Sequence, residues 1–105
     1  MAFKTVFVAH TPDADPRKHR EVIETDIYKL FIVLVGSQEQ TVEECRKLME
    51  EEGIHSILLC PGYTHRDVAE LFEIFNGKVA VSVARGDGPS SRIARDVMEE
   101  EGWFD

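Results

Sequence analysis

The chain has 105 residues, with 20 acidic against 12 basic side chains and a formal net charge of −8. That length accommodates one domain, read here as residues 1–105, and excludes an eight-unit α/β barrel, which needs about 250 residues. The acidic balance repels phosphate backbones and anionic lipid surfaces, so neither nucleic acid nor a membrane is an expected partner. Two cysteines are too few to be needed as a disulfide framework in a domain that can bury its own core, and reduced thiols suit a cytoplasmic location. The apolar stretch near Phe3–Ala9 is too short for a secretory signal, and the longest apolar run, Leu30–Val35, is far below the roughly 20 residues of a membrane span.

Four short segments rich in Val, Ile, Leu and Phe read as strands: Phe3–Ala9, Tyr28–Val35, Ser56–Cys60 and Val79–Ala84. A helical segment is expected after each. The first opens at Asp15-Pro16, an acceptor side chain followed by a proline suited to the first helical position. The second opens at Ser37 with Gln40 three residues on, the third at Thr64 with Asp67, both in capping-box spacing, and the fourth near Ser90. Gly53, Gly77 and Gly102 follow the last turns of the second, third and fourth helices, where a left-handed residue commonly ends a helix. The alternation predicts a single-domain, three-layer α/β sandwich: a four-stranded parallel sheet, (βα)4, in the flavodoxin-like order 2-1-3-4. With an offset of 49 residues, Met49-Glu-Glu-Glu-Gly53 falls on Met98-Glu-Glu-Glu-Gly102, which two βα units of equal length ending alike explain.

In such a sheet ligands bind outside the carboxyl ends of the strands, where the strand order reverses. That edge collects His10, His19 and His65, three of the four histidines, together with Cys60, Gly62, Tyr63, Arg66 and Arg85. Arg17-Lys-His-Arg20, in the first turns of the expected first helix, opposes the helix dipole and so invites a compensating anion. His10, Arg20, Gly62, Tyr63, Arg66 and Arg85 are the candidate ligand-binding residues. His19, His65 and Cys60 are the candidates for acid, base or nucleophile, as the titratable and thiol side chains on that edge. No HxxxH or CxxC spacing points to a metal, and Gly86-Asp-Gly-Pro-Ser-Ser91 is neither GxxxxGK[ST] nor GxGxxG, so no metal or cofactor is expected.

The stretch Asp15-Pro-Arg-Lys-His-Arg-Glu-Val-Ile-Glu-Thr25 resembles the DPxxHRxxIET segment of a family of small bacterial and archaeal α/β proteins known as a domain of unknown function. The likeness extends through Val35-Gly36, Glu52-Gly53-Ile54, the strand end at Cys60 and Asn76-Gly77-Lys78-Val79 to Arg85. Where that family shows Cys-Gly-Gly-Phe-Gly, this chain has Cys60-Pro61-Gly62-Tyr63-Thr64, a stiffer and bulkier loop. The resemblance implies the fold and draws attention to His19, Arg20, Cys60 and Arg85, but brings no activity with it.

Two functions are therefore expected. One is binding of a small anionic metabolite at the carboxyl edge. The alternative is a non-catalytic, self-associating or regulatory domain, forming a homodimer through the apolar third helix around Phe72 with Trp103 and Phe104.

Overall fold

The structure, a computed structural model, describes residues 1–104. Eight elements follow one another: β1 (Phe3–His10), β2 (Arg20–Glu24), β3 (Tyr28–Val35), α1 (Gln38–Glu52), β4 (Ser56–Leu59), α2 (His65–Ile74), β5 (Ala80–Val83) and α3 (Gly88–Glu100). They form one mixed α/β domain around a five-stranded sheet of order β2-β3-β1-β4-β5. All neighbouring strands are parallel except β2 and β3.

The expected four-stranded, all-parallel sheet is corrected by the segment after β1, which adds a fifth strand at the edge, while the four expected strands keep their relative places as β3-β1-β4-β5. Instead of a first helix there is a single turn and then an antiparallel edge strand. Asp15 makes the turn by itself: its carbonyl accepts from Lys18 N and His19 N, and its carboxylate accepts from Arg17 N. Asp15-Pro16 is thus a genuine start signal that is not propagated. Beyond it, Val22, Ile23 and Thr25 are β-branched and no apolar stripe at helical spacing exists, so the chain pairs with β3 as an extended strand. The Thr25 hydroxyl accepts from Ile27 N and Tyr28 N and closes the hairpin.

The remaining caps form as their residues dictate. Ser37 Oγ accepts from Gln40 N at 3.1 Å, and Thr64 and Asp67 complete a reciprocal capping box. Gly53 takes φ +64°, the left-handed value that ends α1. The last helix opens at Asp87 rather than near Ser90, because the hydroxyls of Ser90 and Ser91 both turn back to the Asp87 carbonyl.

Losing the first helix changes the layers. The links β3-α1-β4 and β4-α2-β5 step the same way across the sheet, so right-handed crossovers place both helices on one face. That face is the core. Val6, Val8, Phe31, Val33, Val35, Ile57 and Leu59 pack beneath Cys45 and Leu48 of α1 and Leu71 of α2. The other face would need α3 to form the third layer, yet no residue of α3 is buried.

Candidate functional site

In the observed order the connections leave β1 towards β3 and leave β4 towards β5, so the crevice between the ends of β1 and β4 is where a parallel sheet admits a ligand. A hollow of about 140 Å³ lies there, lined by His10, Gln38, Gly62, Tyr63 and Asp67. It has room for about five water molecules. Three candidate ligand-binding residues, His10, Gly62 and Tyr63, thus meet in one place.

Each wall has a local cause. His10 is the last residue of β1, and its Nε2 lies 2.9 Å from the Gly36 carbonyl, which fixes the ring. Tyr63 is held by its hydroxyl, 2.6 Å from Thr41 Oγ1 in the core, and burial pushes its phenol well above the ordinary range. Gln38 is the first residue of α1 and Asp67 sits in the first turn of α2, so two helix N-termini flank the hollow. Gln38 ties them together, its Nε2 donating to the Asp67 carbonyl and to Glu70 Oε1. Its Oε1 is buried without a hydrogen-bond partner. Such an acceptor costs about 1–3 kcal/mol when left dry, so a bound donor there would recover that loss.

The basic residues expected to hold an anion are distributed otherwise. Arg20 Nη1 is 2.8 Å from Glu44 Oε1, across the edge of the core. Arg85 pairs with Asp87 at 2.7 Å, and Arg17 with Asp15 at 3.2 Å; the latter bond holds the Asp15 carboxyl below its usual value. Among the described residues, Arg66, second in α2, makes no ion pair. His65 is exposed beside it.

Cys60 follows β4, and its Sγ accepts from the backbone N–H of His10 at 3.4 Å rather than from an imidazole. Cys45 is fully buried in the core, where desolvation pushes its thiol from 9.0 up to about 12. A thiol reagent at pH 8 is therefore expected to modify one cysteine of the folded protein, Cys60, and both in urea; labelling of Cys45 at the same rate without denaturant would contradict this.

His19 borders a second, larger hollow of about 370 Å³, with Ala9, His10, Thr11, Asp13, Leu34 and Trp103. Its Nδ1 accepts from Asp15 N, which leaves Nε2 as the protonated nitrogen of the neutral ring. Among the described residues no group of three His, Cys, Asp or Glu side chains is placed to hold a metal. Gln38, Asp67 and Trp103 are site residues the sequence reading missed. For Gln38 a signal existed, its place one residue after the Ser37 cap; for Trp103 there was none, because it depends on where α3 lies.

These elements define a single mixed α/β domain with a mostly parallel sheet and a crevice at its carboxyl edge. The chain belongs to a family of unknown function, DUF6506, whose model matches residues 3–99. No curated protein and no solved structure matches it.

Proposed function

We propose that the protein binds a small anion carrying an O–H or N–H donor, such as a hydrogenphosphate or a short hydroxy acid, in the hollow between the N-termini of α1 and α2. The observation that carries this reading is a crevice at the switch point of the sheet lined by Gln38, whose Oε1 is buried without a partner. An acceptor alone calls for a donor; the anionic part rests on the surroundings. The first backbone N–H groups of both helices, those of Gln38, Glu39, His65 and Arg66, make no hydrogen bond to the described residues. Together with the dipole they favour negative charge, and Arg66, beside the lining residue Asp67, is a cation in no ion pair among the described residues. The basic cluster at Arg17–Arg20 is not the anchor in this reading, since Arg17 and Arg20 are paired. The volume fits the head of a metabolite, not a nucleotide.

Inorganic phosphate and glycolate, each titrated into ¹⁵N-labelled protein, should shift the side-chain amide of Gln38 and the backbone amides of His65 and Arg66. Arg66→Ala should weaken binding about tenfold, the loss of one charge-assisted hydrogen bond, while leaving thermal stability unchanged. Resonances that stay still with both probes, or shifts that Arg66→Ala leaves intact, would remove the proposal.

A further inference from the structure

We infer that the sheet face away from α1 and α2 is covered by a second copy of this chain, with the apolar side of each α3 lying on the sheet of the other. The register aligns two rows across all five strands on that face: Glu21–Ile32–Phe7–Leu58–Ser82 and Ile23–Leu30–Thr5–Ser56–Ala80. Glu21, at the sheet edge, is the one charged residue in them. Strands of 8, 5, 8, 4 and 4 residues, at about 4.8 Å spacing and about 3.3 Å per residue, describe a face of roughly 460 Å². One side of α3, about 20 Å long and about 10 Å wide, adds about 200 Å², so an exchange in which each chain gives both surfaces approaches the ~800 Å² that each partner contributes to a standard interface.

The same chain carries the complement. Ile93, Ala94, Val97 and Met98 form one side of α3 at helical spacing, with Ile93 71% and Val97 54% exposed. The helix does not cover its own sheet, because both its ends are held at the carboxyl edge. It starts just beyond β5, and Trp103, shortly after its end, borders the hollow beside Ala9 and Leu34 near the ends of β1 and β3. Thirteen residues rise about 20 Å, and β5 to β3 spans about 14 Å, so α3 crosses the strand ends instead of running down them.

A symmetric exchange of α3 covers both unpartnered surfaces at once, whereas a different protein seated on the sheet would leave α3 exposed. Pairing of bare sheet edges is opposed by the acids on β2.

Sedimentation equilibrium of the full chain is expected to give twice the chain mass at about 100 µM, with tighter association in higher salt as the net charge of −8 is screened. The double variant Ile93→Glu/Val97→Glu changes only exposed positions, so its circular dichroism should match the parent while its dimer dissociation constant rises at least about 100-fold. Leu30→Lys, on the sheet, should do the same, and Phe72→Glu, on α2, should leave the dimer intact. A monomer at about 100 µM, a dimer indifferent to the α3 variant, or one broken by Phe72→Glu instead would each overturn the inference.

Discussion

Raising the pH from 8 to 11 is expected to remove about 4 kcal/mol of folding stability, through two buried groups that cannot ionise in place. Cys45 is fully buried and sits beside the acidic Glu44; burial first, and that neighbour second, push its thiol from 9.0 up to about 12. Tyr63 is raised from 10.0 in the same direction, chiefly by burial, and only partly relieved by its bond to Thr41. Both are acids with a raised folded value. Below pH 9 neither state ionises and their contribution is complete. Above it the unfolded chain loses protons that the folded chain keeps, so stability falls by about 1.4 kcal/mol per pH unit for each group past its unfolded value. At pH 11 that is about two units for Cys45 and about one for Tyr63. Urea midpoints measured from pH 8 to 11 should show the fall, and Cys45→Ala should lower stability at every pH yet make the decline shallower. A profile flat to pH 11, or one that Cys45→Ala leaves equally steep, would contradict this account of the core.

Arg20→Ala is the substitution with the largest expected effect outside the apolar core, about 2 kcal/mol of stability. Glu44 has a side chain only 7% exposed, and Arg20 is its nearest cation at 2.8 Å, with Lys47 farther away at 3.7 Å. Removing one partner of a buried pair costs about 3–5 kcal/mol because the remaining charge is left in low dielectric. Arg20 is 38% exposed, so solvent screens part of that loss and the smaller figure applies. For a domain of this size the melting temperature should fall by roughly 10 °C. The double variant Arg20→Met/Glu44→Leu should recover most of the loss, since it removes both charges together. An unchanged melting temperature for Arg20→Ala would show that the pair contributes nothing. The bond also joins the edge strand β2 to α1, which gives Arg20 a structural duty.

Much of this architecture is legible residue by residue. The continuous apolar run Tyr28–Val35, the caps at Ser37 and Thr64 and the glycine after α1 are local signals, and each acts over a few residues where no competing partner exists. His10, Gly62 and Tyr63 could be assigned to one edge because strand ends in a parallel sheet lie together whatever their side chains are. Asp15-Pro16 misled for a definable reason: a cap and a proline start a turn, but only an apolar stripe packed against the sheet continues it as a helix. The segment Arg20–Glu24 lacks that stripe and found hydrogen-bond partners in β3.

The repeated Met-Glu-Glu-Glu-Gly sequence makes the same point at the level of packing. Both copies end a helix with a left-handed glycine, φ +64° at Gly53 and +81° at Gly102, yet α1 buries Thr41, Glu44, Cys45 and Leu48 while α3 buries nothing. Sequence by itself determined four of the five strands, the caps of α1 and α2, the acidic balance and which strand ends share one edge, since all of these follow from composition, periodicity and short-range bonding. Tertiary structure alone decided that Arg20 spends its charge on Glu44, that Gln38 Oε1 is left without a partner, and that one sheet face has no helix of its own. Those outcomes depend on which groups meet across 20 or more residues of chain, and burial and competition for partners are set only when the elements have been assembled.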